Sequence, residues 1–204
     1  MSDTLATIQG RTSANNFDPT HHMSEAQIQE LVELTLNTPT SFNMQNWRLI
    51  AVSSAQQKAN LRKLAFNQAK VSEAAVTFIV VGDSMGYQQL PTLIKPMLDA
   101  GALDQAAYDG WIGMCNGMYN GNAQLQRDEA IRSGSLAAMT LMYAAQAKGY
   151  VSGAMIGFDG AAVAKEFGLN EHEVPVMLIA VGNAAPGNWP RKVRRSLAQA
   201  VKTV

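Results

Sequence analysis

Val76-Thr77-Phe78-Ile79-Val80-Val81-Gly82 is a β-branched and apolar run with no polar alternation, closed by a glycine. A run of this kind reads as a strand buried on both faces. Val174-Pro175-Val176-Met177-Leu178-Ile179-Ala180-Val181 repeats the pattern and again ends in a glycine, Gly182. Two doubly covered strands need a layer on each side of their sheet. The sequence supplies helices for both. A long helix is expected from about Asp128 to Lys148. Its centre, Ser135 to Ala147, is rich in Ala, Leu and Met, and Gly149 follows as a C-terminal stop. Upstream, Ser24-Glu25-Ala26-Gln27 has the form of a capping box. It opens a helix whose Ile28, Leu31, Val32 and Thr35 share one face, and which ends near Asn37 because Pro39 restricts Thr38. A strand from Trp47 to Val52, a helix from Ala55 to Lys70, a strand around Gly153 and a short helix from Gly160 to Phe167 complete the pattern. Residues 91–121 are broken by Pro91, Pro96, Gly101, Gly110, Gly113, Gly117 and Gly121 yet stay apolar, and read as helical pieces in a mobile cover. The connections are too irregular for a βαβ array, so the expected class is α+β with a central sheet.

A chain of 204 residues suits a single domain, taken here as 1–204. Hydrophobic residues make up 47%, charged residues 16%, and the formal net charge is zero. Disorder is excluded on this composition, and no overall field draws the chain to nucleic acid or an anionic membrane. The single cysteine, Cys115, forbids an internal disulfide, and the histidines at 21, 22 and 172 form no metal motif. No apolar stretch is long enough to span a bilayer and the first residues lack a signal-peptide core, so the expected compartment is the cytoplasm.

Four polar clusters carry possible chemistry. Arg11-Thr12-Ser13 can coordinate a phosphate through a planar guanidinium and two hydroxyls, or be an ordinary polar turn. Pro39-Thr40-Ser41-Phe42-Asn43-Met44-Gln45-Asn46-Trp47 mixes amides and hydroxyls with apolar walls, as pocket linings do, though a turn-rich connection has the same composition. Asn67 and Lys70, three apart on the expected helix, share one face. They could meet a heterocycle edge or form a solvated helix end. Arg191-Lys192-Val193-Arg194-Arg195 could clamp a phosphate or be a solvated tail. There is no G-x-G-x-x-G after a strand, no P-loop and no G-x-S-x-G elbow. With so few side chains suited to acid–base or covalent chemistry, no catalytic side chain is assigned and a cofactor would have to supply the reaction.

In order and spacing these clusters resemble the FMN-dependent nitroreductase family from about Arg11 to Arg194. The resemblance also takes in Phe17, Asn67-Gln68-Ala69-Lys70, Met155-Ile156-Gly157-Phe158-Asp159 and Val181-Gly182-Asn183. It implies a helix-flanked, mostly antiparallel sheet in an intertwined homodimer with FMN at the interface. Carried over by position, Arg11 and Ser13 would hold the phosphate, with Thr12 in the same cluster and Lys192 and Arg194 closing from the tail. Asn67 and Lys70 would face the pyrimidine edge, and Gly157 with the backbone of Ile156 would reach N5 and O4. Pro39, Thr40, Ser41 and Asn43 would come from the partner subunit. Two positions depart from the pattern. Asn15 stands where many members have Lys, which would remove a cation near the pyrimidine edge, and Ile156 stands where well-known bacterial members have Glu.

The implied activity is electron transfer from NADH or NADPH through FMN to a nitroaromatic, a quinone or a similar small acceptor, by a ping-pong sequence. A flavin-dependent reductase of another metabolite, such as an enone, and a non-catalytic FMN-binding redox protein fit the same residues. Nucleic-acid, membrane and metal partners are not expected.

Overall fold

The computed structural model describes residues 4–204. In chain order the elements are helices α1 (Thr4–Gly10) and α2 (Glu25–Thr35), strand β1 (Trp47–Val52), helices α3 (Ala55–Leu64) and α4 (Lys70–Glu73) and strand β2 (Val76–Asp83). Helices α5 (Leu90–Asp99), α6 (Gln105–Tyr119) and α7 (Ala123–Ala147) follow. Strand β3 (Val151–Met155), helix α8 (Gly160–Glu166), strand β4 (Glu173–Gly182) and helix α9 (Leu197–Ala200) complete the chain.

The strands form one antiparallel sheet in the order β1-β2-β4-β3. The two apolar runs are its inner strands, which explains their lack of alternation. Val76, Phe78 and Val80 face α7 with Ile179 and Val181, against Ala138, Leu141, Met142 and Ala145. Ile79, Val81, Leu178 and Ala180 face the other way, against Leu61, Ala65, Val71 and Val163. Each large aliphatic side chain buried here contributes about 1.5–3 kcal/mol. Ala-rich α7 lets helix and sheet approach closely, and Gly149 ends it with φ of 85°. The capping box at Ser24 is formed in both directions.

Three expectations need correction. The sequence pattern marks no helix ahead of Ser24, yet α1 ends immediately before Arg11. Residues 91–121 are two defined helices with a core of their own, in which Leu90, Ile94, Cys115 and Tyr119 pack with Met44 and Tyr87. The prolines and glycines that suggested interruption are accommodated: Pro91 lies in the first turn of α5, and Gly110, Gly113 and Gly117 have open space around them. The third correction concerns the helix over 55–70. It stops at Leu64, and Phe66 and Asn67 take left-handed backbone angles of 53° and 59° before α4 begins.

Candidate functional site

Residues 11–17 run along the edge strand β3. Ser13 bridges Ser152, and the Ala14 N–H donates to the Ser152 carbonyl at 2.9 Å. Ala14 and Phe17 are buried while Ser13 and Asn15 face out, so the segment is anchored on one side and offers polar groups on the other. The approach is close: a Cβ on Gly153 would lie 2.4 Å from the Ala14 carbonyl oxygen. The tail secures the segment from outside. Asn188 Oδ1 accepts the N–H of Asn15 at 2.7 Å and of Asn16 at 3.0 Å, and its Nδ2 donates to the Asn16 carbonyl at 2.8 Å. The Arg191 guanidinium donates to the Arg11 carbonyl at 2.8 Å and also to the Gln9 carbonyl.

Lys70 reaches this region at the start of α4 and shares no helix face with Asn67, which lies in the loop between α3 and α4. The left-handed pair Phe66-Asn67 turns the chain so that Lys70 opens α4, and its ammonium donates to Asn15 Oδ1 at 3.2 Å. Asn15 thus holds Lys70. Burial, and after it the like charge of Lys192, keep the Lys70 ammonium below its ordinary value. The tail's Lys192 is therefore within electrostatic range of Lys70. Arg194 differs: its guanidinium bonds the Lys192 and Val193 carbonyls of its own turn. Opposite Lys70, the Gln68 amide donates to the Gly157 carbonyl at 2.7 Å and the Ala65 carbonyl at 3.1 Å, fixing the turn after β3. The Gly157 N–H makes no hydrogen bond among the described residues. Phe66 is 69% and Ile156 81% exposed, placing apolar surface beside these polar groups.

The donor set fits FMN. Among the described residues none of Arg11, Lys70, Lys192 or Arg194 has a carboxylate partner, and Lys70 and Lys192 repel each other. An anion relieves that repulsion, and exposed apolar groups beside a free backbone N–H suit a ring carrying acceptors.

Pro39, Thr40, Ser41 and Asn43 are not brought to this cluster. Their loop ends at Asn46, whose carbonyl and side chain bond Asp83 at 2.9 and 3.1 Å, and Asp83 is paired with Glu173. Ser152 pairs with Val181. Glu173 and Val181 are eight residues apart on β4, about 26 Å at ~3.3 Å per residue, so the two groups lie at opposite ends of the sheet. The loop is tightly made: Phe42, Asn43 and Gln45 have φ of 52°, 56° and 47°, the Gln45 N–H donates to Thr40 Oγ1 at 2.9 Å, and Ser41 Oγ lies 3.0 Å from the Tyr119 hydroxyl.

Sequence reasoning missed Gln68 and Asn188 as site residues and gave Arg191 no separate role. Pro186-Gly187-Asn188 is a turn signal that could have pointed to Asn188. The pairing of Gln68 with Gly157, 89 residues away, leaves no local trace.

Sheet and flanking helices define an α+β protein, with cations that lack carboxylate partners among the described residues as a candidate anion site. The chain belongs to the nitroreductase family, whose sequence model matches residues 8–183. It is 33% identical over 184 residues to YodC of Bacillus subtilis, named as a candidate NAD(P)H nitroreductase, covering 90% of this chain and 91% of that one. The crystal structure of the candidate nitroreductase YdfN from the same species superposes with a TM-score of 0.94 at 31% identity over 98% of both chains. A candidate nitroreductase of Exiguobacterium sibiricum, crystallised in complex with FMN, gives a TM-score of 0.92 at 29% identity over 100% of this chain and 98% of that one.

Proposed function

We propose that this chain is a single-domain, NAD(P)H-dependent FMN oxidoreductase, acting as a homodimer on nitroaromatics, quinones or similar small acceptors. The observation that carries the reading is Lys70, bonded to Asn15 on the segment that follows Arg11 and repelled by Lys192, with no carboxylate partner for any of these three cations among the described residues. The family assignment and the FMN complex of the Exiguobacterium relative support the identity of the ligand.

FMN, when bound, supplies the electron-transfer chemistry by accepting a pair of electrons from reduced nicotinamide and passing it to the acceptor. The chain's residues bind and orient. Arg11, Ser13 and the tail cations Lys192 and Arg194 hold the phosphate. Lys70, steadied by Asn15, stabilises negative charge at the pyrimidine edge together with Asn67. Gln68 fixes the Gly157 turn so that its N–H stays aimed at the ring. The Pro39–Asn43 loop, at the far end of its own sheet, completes the site of a second copy. Two half-sites at opposite ends of one chain support this arrangement, because a two-fold axis joins each half to the other's complement.

Purified protein should be yellow, with flavin bands near one per chain. Steady-state reciprocal plots for NADH against acceptor should run parallel. A colourless protein that cannot be reconstituted with FMN sinks the proposal. Intersecting lines sink the ping-pong sequence alone.

A further inference from the structure

The carboxylate of Glu129 in α7 is 3% exposed, unusually deep for a charge, and it has a full set of donors. The Arg132 guanidinium pairs with Oε2, and the Ser133 hydroxyl donates to Oε1 at 3.1 Å. The Tyr119 hydroxyl lies 3.3 Å from Oε2 and 3.0 Å from Ser41 Oγ. Tyr119 is 1% exposed and is held by Phe42, edge-on at 6.4 Å, and by the Tyr87 ring at 6.1 Å.

The protons in this chain can be placed by elimination. An ion-paired carboxylate has no hydrogen to give, so Glu129 accepts from Tyr119. The phenol has only one hydrogen, so it cannot also donate to Ser41. Ser41 must therefore donate to Tyr119. Burial raises the Tyr119 phenol above its ordinary value, the Ser41 contact opposes this, and the Glu129 charge adds to it, so the phenol keeps its proton.

We propose that Glu129 is a positioning residue which, through Tyr119, turns Ser41 into a pure hydrogen-bond acceptor on its open side. The ligand group that meets Ser41 must then be a donor, such as a hydroxyl of the ribityl chain or a ring N–H. Ser41 is half-buried, and among the described residues the only hydrogen bond of its hydroxyl is the one to Tyr119, so its lone pairs are available. The proposal rests on the reading that the Pro39–Asn43 loop meets FMN. It adds that a buried charge more than eighty residues downstream sets the polarity of that contact.

The test is a double-mutant cycle on FMN affinity, read by flavin fluorescence quenching on refolded or stripped protein. Ser41→Ala should weaken binding about 3–10-fold, the scale of one hydrogen bond. Glu129→Gln and Tyr119→Phe should each weaken it by a similar factor and have no further effect on top of Ser41→Ala. Ser41→Thr keeps the hydroxyl and should keep the sensitivity to Glu129→Gln, which a purely structural role for Glu129 does not predict. If Glu129→Gln fails to fold, Tyr119→Phe, which removes one oxygen, carries the cycle alone. Multiplying effects, or a silent Ser41→Ala in protein that binds FMN, overturn the polarity proposal and leave the FMN reading intact. Wild-type protein that binds no FMN overturns both.

Discussion

Lys70 shows how one residue can be read for chemistry yet misplaced in structure. An ammonium and an amide close in sequence suit a heterocycle edge, which is what singles out Lys70 and Asn67 as candidates in the sequence. Their placement was not legible, because nothing in Phe66-Asn67 announces a left-handed turn. Asn and Asp visit that region at modest cost, but a bulky aromatic there is an outlier. Lys70 also carries a testable sign. Its ammonium is disfavoured in the ligand-free chain by burial and by Lys192. An anion at the site favours the charged form again and raises that value. FMN binding should therefore take up protons at pH values below the ordinary lysine value of 10.5 but above the lowered one. Calorimetry in two buffers of different ionisation enthalpy measures the uptake, and Lys70→Gln should abolish it. Equal uptake in the variant would assign the proton elsewhere. Asn15, read as the loss of a cation, has a compensating use as the acceptor that holds Lys70.

At the scale of elements, the inner strands were legible because burial on both faces leaves an unbroken apolar run. β3 was harder: Val151-Ser152-Gly153-Ala154-Met155 is short, has a glycine at its centre and lies at the sheet edge. Its glycine is there for the segment beside it. Gly153→Ala would push a methyl group against the Ala14 carbonyl at 2.4 Å. The N-terminal segment can yield more easily than the sheet, since it is held to β3 through a single bridge. Gly153→Ala should therefore lower stability by about 1–3 kcal/mol, the usual range for overpacking. It should also weaken FMN binding at least tenfold, because Arg11 and Ser13 move with the backbone. Chemical denaturation and FMN titration on one preparation check both. Unchanged FMN affinity would show that the segment does not form the phosphate site. The helices of 91–121 were obscured for a different reason: glycines that normally mark breaks here line an open face of α6.

At the scale of the molecule, the proposed dimeric site divides into halves that the sheet of one chain holds apart. Lys70 and Asn15 meet beside the segment that lies on β3, and the Pro39–Asn43 loop sits about eight strand residues away. No periodicity or spacing carries that information, which exists only once the sheet register is fixed. It predicts complementation. One variant carries Arg11→Ala with Lys70→Gln, and another has Thr40, Ser41 and Asn43 all replaced by alanine. Each alone should lose most FMN binding. Refolded together in equal amounts, half of the dimers are mixed and each mixed dimer has one intact site, so about a quarter of wild-type FMN capacity should return. Absorbance of bound flavin after gel filtration measures it. No recovery would mean that each chain builds its own site. Among the described residues no helix is long and apolar enough to cross a membrane.

The Asn188 clasp spans 172 residues of sequence to hold Asn16. Contacts so distant along the chain close a large loop and form late in folding. During synthesis Ser13 and Ala14 can meet β3 once Ser152 has emerged, but the clasp of Asn188 on Asn15 and Asn16 must wait for the carboxyl end. If the phosphate site needs that clasp, coenzyme loading reports that translation has run to completion. A chain cut short before Asn188 would keep its sheet core and stay colourless, so pigment itself would separate finished molecules from fragments.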